Sequence, residues 1–189
     1  MKRLFVCAVV FLLVISFIPA GYPKGLSSIG FLTGYMKGDL EAKPDYEVVP
    51  LMLSFGFDLK PLARKIGIDT HGILEFQVEP FINPVLEPET NIETGVNLLV
   101  KYAFPLNDKL MPYVKFGAGP SFMGMDTREQ STRFNFVDTA GAGFSWFIKN
   151  NFSLDVEYRF RHLSNCSIDS PNKGIETHSV LLGFSYKFE

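Results

Sequence analysis

Two short segments near the C-terminus carry the residue types of an activated hydroxyl nucleophile. His162 and Ser164 are two positions apart, and Glu176 follows fourteen residues after the histidine. A serine hydroxyl is a weak nucleophile until a histidine takes its proton, and an acid can hold the imidazole in the required tautomer. Asn165 follows the serine and can offer an amide N–H to a developing oxyanion. These residues therefore predict acyl transfer with Ser164 as nucleophile, His162 as base and Glu176 as third member.

The elements that must position these residues are strands, because apolar and polar side chains alternate through most of the chain. The alternation is clearest at residues 91–104, where one parity runs from Ile92 to Phe104 through mostly apolar side chains. Successive side chains of a strand point to opposite faces, so this pattern predicts strands with one apolar face. There are eight candidate strands, at residues 27–38, 47–59, 72–85, 91–105, 111–125, 134–149, 151–163 and 175–188.

The first segment predicts export. Residues 1–3 are partly basic, residues 4–18 are apolar, and residues 19–21 offer small side chains for cleavage. This order is typical of a secretory signal peptide, and a retained signal anchor is the alternative. We expect residues 1–20 to be removed and residues 21–189 to form one domain. No later run of eighteen apolar residues predicts a transmembrane helix.

An even number of long strands after a signal peptide is typical of an antiparallel transmembrane β-barrel of the bacterial outer membrane. Two predicted strands each have one face of polar and charged side chains. In strand 72–85 this face carries Glu75, Gln77 and Glu79, and in strand 151–163 it carries Asp155, Glu157, Arg159 and Arg161. Such faces fit the polar interior of a small barrel, where carboxylates and arginines pair. A soluble eight-stranded barrel of the lipocalin kind is the alternative. Aromatic residues at strand ends, which form girdles in membrane barrels, favour the membrane barrel.

Strand parity predicts that the candidate catalytic residues lie on the outside of this barrel. His162 and Ser164 share the parity of the apolar side chains of strand 151–163, and Glu176 shares that of Val180 and Leu182. With the N-terminus in the periplasm, strand 151–163 runs outward and its hairpin partner brings Glu176 to the level of His162. The loops at 39–46, 86–90, 126–133 and 164–174 are then extracellular. The predicted site faces the outer leaflet, so its substrate is a membrane lipid ester.

Two other interpretations of these residues stay open. Each polar side chain can simply mark the point where a strand leaves the membrane, with Ser164 and Asn165 beginning a turn. His178 also shares the parity of Glu176 and is a second candidate for the base. The first residues of the loop, 126–129, are expected to be solvated.

Charge and cysteine content exclude several classes of partner. The net charge of −2 gives no bulk attraction to nucleic acid. Cys7 would leave with the signal peptide, so Cys166 is single and predicts neither a disulfide nor a cysteine metal site. We expect no metal ion and no cofactor, and membrane lipid as the partner. Whether the barrel is a monomer or forms a homodimer stays open.

The same residues resemble a known signature. His162, Leu163, Ser164 and Asn165, with Glu176 fourteen residues after the histidine, are similar to the motif of the lipid A 3-O-deacylases, the PagL family. Residues 172–176 also resemble the segment that precedes the glutamate of that family. Members of the family are eight-stranded outer-membrane barrels, so the resemblance covers about residues 21–189.

The resemblance implies an outer-membrane esterase that removes the 3-linked acyl chain of lipid A, with lipopolysaccharide as its partner. It implies Ser164 as nucleophile, His162 as base, Glu176 as third member of the triad, and Asn165 at the position implicated in the oxyanion hole. The alternative is a small outer-membrane barrel without enzymatic activity that has a structural or binding role.

Overall fold

The computed structural model describes residues 25–41 and 45–188, so the predicted signal peptide at 1–20 lies outside the described residues. Most of the described chain is in strands: β1 (Leu26–Gly38), β2 (Tyr46–Val48), β3 (Leu51–Asp58), β4 (Ile73–Glu87), β5 (Asn91–Ala103), β6 (Leu110–Met123), β7 (Phe134–Lys149), β8 (Phe152–Ser164) and β9 (Ile175–Lys187). A short helix, α1 (Lys60–Lys65), follows β3. In this part of the chain, no helix has the length and apolar character needed to span a bilayer.

The strands form one closed antiparallel barrel. Neighbouring strands pair in chain order, and β1 pairs with β9 to close the sheet. Both β2 and β3 lie between β1 and β4, so together they occupy one of eight positions in the wall. Val49 and Pro50 separate them, and a proline has no N–H for the ladder of hydrogen bonds. The predicted eight-stranded barrel is therefore confirmed, with the predicted strand 47–59 divided in two.

The connections differ between the two ends of the barrel. At one end, here the turn end, strands are joined through residues 59–72, which include α1, and through 104–109 and 150–151. At the other end, here the loop end, the connections are 88–90, 124–133 and 165–174, and the described residues 39–41 and 45 flank the ends of β1 and β2. Helix α1 begins with a proline in its first turn, where the missing N–H has no cost. It lies within the connection that follows the second predicted strand, at residues 47–59.

The outer surface of the wall is apolar. Phe116, Trp146 and Val180 are each about 60% exposed, at 61%, 58% and 59%. Aromatic pairs lie at the turn end, with ring centroids 5.8 Å apart for Tyr102 and Phe104. Such exposure suits a surface that faces lipid, with aromatic side chains at its edge. The alternative of a soluble barrel with an apolar interior is therefore wrong.

Charged residues fill the middle of the barrel interior. Lys115 Nζ lies 2.8 Å from carboxylate oxygens of both Glu79 and Glu157. The Arg159 guanidinium lies 2.9 Å from Glu79 and 2.6 Å from Glu157. Tyr113 donates a further hydrogen bond to Glu157. We call Glu79, Lys115, Glu157 and Arg159 the interior ion network; each of its charges is buried and paired, the condition under which buried charge is tolerated.

An apolar cluster closes the interior near the loop end. Leu163 and Ile175 are its members from β8 and β9, and the others are Met36, Leu40, Tyr46, Val48, Val85, Met123, Met125 and Val137. Because side chains alternate along a strand, burying Leu163 and Ile175 turns their neighbours outward. The cluster thus fixes the register on which the outer surface of β8 and β9 depends.

Candidate active site

His162 and Glu176 are cross-strand neighbours on the outer surface of β8 and β9. His162 Nδ1 lies 3.8 Å from Glu176 Oε1, and the two side chains are 35% and 67% exposed. This separation is longer than a hydrogen bond but allows electrostatic contact. A small rotation of either side chain would bring them into hydrogen-bonding distance, so Glu176 can orient the imidazole through Nδ1 and leave Nε2 free.

Ser164 is the last residue of β8 and has the same outward parity as His162. Two positions along a strand separate Cα atoms by roughly 6.5–7 Å, so the two side chains stand next to each other. Ser164 is only 9% exposed, because both adjoining loops contact the backbone beside it. Within residues 25–41 and 45–188 its hydroxyl makes no hydrogen bond. Catalytic hydrogen bonds often form fully only when substrate is bound.

Asn165 is fully buried, and its donors point at the surrounding loops. Its backbone N–H donates to Asn172 Oδ1 at 2.9 Å, and its side-chain amide donates to Ser131 Oγ and to the carbonyl of Asp169, both at 3.1 Å. Asn165 therefore holds the loops 124–133 and 165–174 together. An oxyanion would bind one of these donors by replacing its present acceptor.

Gln130 contacts the backbone on both sides of Ser164. Its side-chain amide donates to the carbonyl of Leu163 at 3.4 Å, and its Oε1 accepts from the N–H of Asn165 at 3.2 Å. The adjacent Glu129 is 3% exposed, so the expectation that residues 126–129 form a solvated loop is wrong at Glu129. The loop turns back onto the end of β8, which a local pattern of polar residues does not reveal.

Asp138 of β7 is the cross-strand partner of His162 on the side opposite to Glu176. The imidazole therefore lies between two strands that each carry an outward carboxylate. The sequence alone could have indicated that Asp138 is a functional residue, since it is the one charged residue among the outward-pointing positions of β7. A charged residue on a lipid-facing surface is costly and marks a functional position. We call Asp138, His162, Ser164 and Glu176 the outer-wall site.

His178, the second candidate for the base, lies outside the outer-wall site. Its cross-strand partner is Phe160, one step further from the loop end than the pair formed by His162 and Glu176. His178 Nδ1 lies 2.6 Å from the hydroxyl of Tyr158, and its ring packs on Phe160 at 5.3 Å between centroids. The side chain is thus already engaged with two residues of β8, and Ser164 is not one of them.

A closed eight-stranded barrel with an apolar outer wall defines the class as an outer-membrane barrel. The residues of the outer-wall site have the side-chain types of a hydrolase. The family model described as lipid A 3-O-deacylase (PagL) matches residues 52–185. The chain belongs to this family, and so it is an ester hydrolase of the lipid A deacylase class in the bacterial outer membrane.

Solved structures agree with this fold. The crystal structure of the outer membrane enzyme PagL superimposes with a TM-score of 0.61 at 20% identity, covering 83% of this chain and 98% of that chain. Neisserial surface protein A gives a TM-score of 0.64 at 14% identity, covering 87% and 98%. The attachment invasion locus protein Ail of Yersinia pestis gives 0.51 at 14%, covering 87% and 100%. No curated protein sequence matches the chain.

Proposed function

We propose that the outer-wall site hydrolyses the 3-linked acyl ester of lipid A in the outer leaflet, with Ser164 as nucleophile, His162 as base and Glu176 as the acid that orients the base. The observation that carries this proposal is the cross-strand contact of His162 with Glu176 on the lipid-facing wall, one step from Ser164. Family membership supports lipid A as the substrate.

The position of the outer-wall site along the barrel axis supports a substrate in the outer leaflet. Outer-membrane barrels have short periplasmic turns and longer extracellular loops. The outer-wall site adjoins the loop end, where ten residues join β8 to β9, whereas two residues join β7 to β8 at the turn end. Polar side chains facing lipid are expensive in the hydrocarbon core and less so at the headgroup boundary. An ester that joins an acyl chain to a sugar headgroup lies at that boundary.

The first half-reaction is acylation of Ser164. The serine oxygen attacks the ester carbonyl carbon while His162 takes the hydroxyl proton. Glu176 stabilises the imidazolium through its other nitrogen, and Asp138 adds a second negative charge nearby. The tetrahedral intermediate collapses, the bond to the sugar oxygen breaks, and the imidazolium returns its proton to that oxygen. The sugar alcohol leaves and the acyl chain stays on Ser164.

The second half-reaction releases the fatty acid. A water molecule loses a proton to His162 and attacks the acyl carbon, and the bond to the serine oxygen breaks as the serine recovers a proton. In both halves the oxyanion needs N–H donors. We assign Asn165 to this role because it directly follows the nucleophile and carries both backbone and side-chain donors.

Mass spectrometry of lipid A from cells tests the proposal. Cells with the wild-type protein should lose the 3-linked acyl chain, and cells with Ser164→Ala should retain it, since removing a nucleophile of this type lowers the rate by about 10³-fold or more. Ser170→Ala is the matched control, an exposed serine in the loop that follows Ser164. Both variants must show heat-modifiable migration of a folded barrel. Unchanged lipid A in wild-type cells would contradict the proposed activity on the 3-linked ester.

A further inference from the structure

Gly174 lies directly against the imidazole of His162. Its φ of 84° is in the left-handed region, which residues with a side chain rarely adopt. A Cβ at this position would lie 3.0 Å from Nε2 and 3.3 Å from Nδ1 of His162, and closer still to Cε1. All three neighbouring atoms belong to the imidazole ring. The absence of a side chain at Gly174 is therefore what leaves room for the ring in its present orientation.

The backbone on both sides of Gly174 is anchored. The N–H of Lys173 donates to the carbonyl of Glu129 at 2.9 Å, and its ammonium group pairs with Glu41. Ile175, on the other side, is 1% exposed and packs in the apolar cluster at the loop end. The backbone at Gly174 cannot retreat without breaking these contacts. An added side chain would therefore displace the imidazole and not the loop.

We propose that Gly174 is a positioning residue for ester hydrolysis: its bare backbone forms a wall that sets the orientation of the His162 imidazole toward Ser164 and Glu176. This inference rests on the proposed role of His162 as the base. A side chain at position 174 turns or pushes the ring, so that Nε2 no longer faces the serine and Nδ1 moves further from Glu176 than its present 3.8 Å. Binding of the lipid, which involves the wider apolar wall, is affected less than the chemical step.

Gly174→Ala, with Gly67→Ala as its matched control, tests the proposal kinetically. Gly67 has a similar φ of 80°, but nothing lies within 4 Å of a Cβ at that position. Both substitutions impose the same kind of backbone strain, and only the one at 174 meets the imidazole. For the purified folded enzymes acting on lipid A in detergent, Gly174→Ala should lower kcat roughly 10- to 100-fold with little change in KM. Equal kcat values for the two variants would overturn the proposal.

A thermal double-mutant cycle tests the same contact without activity. The midpoint of heat-induced unfolding is measured for Gly174→Ala in the wild-type background and in a His162→Ala background. Removing the imidazole removes the clash, so Gly174→Ala should lower the midpoint more when His162 is present. Folding of the variant only in the His162→Ala background would also support the contact. Equal shifts in both backgrounds, or failure to fold in both, would assign the effect to backbone strain and overturn the proposal.

The two proposals fail in different ways. If wild-type protein leaves lipid A intact, the proposed function is wrong, and the thermal cycle still decides whether Gly174 orients the imidazole. If wild-type protein is active, Ser164→Ala is inactive and Gly174→Ala is as active as Gly67→Ala, only the role of Gly174 is wrong.

Discussion

Arg161 and His162 are neighbours on β8, and their side chains occupy opposite environments. Arg161 points into the barrel, where its guanidinium lies 2.5 Å from Glu93 and both side chains are almost completely buried. His162 points outward from the barrel wall and lies 3.8 Å from Glu176, whose side chain is 67% exposed. One strand thus carries a tightly paired charge on one face and a loosely paired titratable group on the other.

The side chains inside the barrel and those on its outer wall have different roles. Inside the barrel, each member of the interior ion network has a partner of opposite charge at 2.6 to 2.9 Å. An unpaired charge in that position would be strongly destabilising. On the outer wall, Glu176 and His162 are accessible and lack close pairing with each other, so they can change partners when a substrate arrives. The fold therefore depends on each interior charge keeping its partner, and the outer charges are available for chemistry.

The largest expected effects come from substitutions at two adjacent residues, His162 on the outer face and Arg161 on the inner face. His162→Ala should lower deacylation about 10³-fold or more, with the free energy of unfolding within about 0.5 kcal/mol of wild type, as for surface substitutions. Arg161→Met leaves Glu93 buried without its partner and should destabilise the barrel by roughly 3–5 kcal/mol. Activity is measured on lipid A per folded molecule, and stability by urea-induced unfolding in lipid vesicles.

The two faces of β8 would not have separate roles if both substitutions had the same effect. A folded Arg161→Met barrel should keep most of its activity, because its guanidinium does not reach the outer wall. Loss of activity in this variant at normal stability would mean that the interior takes part in the chemistry. Strong destabilisation by His162→Ala would mean that the outer wall is a structural surface.

A smaller effect is expected from two matched changes of glutamate to glutamine. Glu176→Gln keeps the size of the side chain and removes the charge that stabilises the imidazolium, so activity should fall roughly 10²- to 10³-fold. Glu79→Gln makes the same change inside the interior ion network, where Lys115 and Arg159 lose a shared partner. That variant should unfold at lower urea concentration and retain activity while folded. Activity of Glu176→Gln close to wild type would remove Glu176 from the mechanism.

The features that the sequence predicts well are those that depend on the alternation of inward and outward side chains. Alternation is a local property, so it predicted the strands, the polar interior and the outward parity of His162 and Glu176. Their cross-strand contact also followed, because β8 and β9 form a hairpin with Leu163 and Ile175 buried behind it. The same alternation would also predict that Asp138 points outward, as a charged residue on an apolar face of β7.

The contacts of the loop residues could not be predicted from side-chain alternation, for a physical reason. Gln130 contacts the backbone beside Ser164 only because the loop 124–133 folds back over the end of β8. Gly174 contacts His162 because residues on either side of it are anchored to other loops and to the core. No period in the sequence encodes such tertiary contacts. The break between β2 and β3 is different, since Pro50 was visible and its effect on the ladder follows from its chemistry.

The smallest expected effect distinguishes the two histidines of the outer wall. His178→Ala removes an imidazole that is hydrogen-bonded to Tyr158 and packed on Phe160, one step further from the loop end than His162. Because that ring makes no hydrogen bond or ion pair with Ser164 or Glu176 among the described residues, deacylation should fall by no more than about threefold, well under 1.4 kcal/mol in the barrier. Rates for His178→Ala and His162→Ala, measured side by side on lipid A, compare the two positions directly. A loss at His178 as large as that at His162 would make His178 the base and would move the catalytic centre one step down the wall.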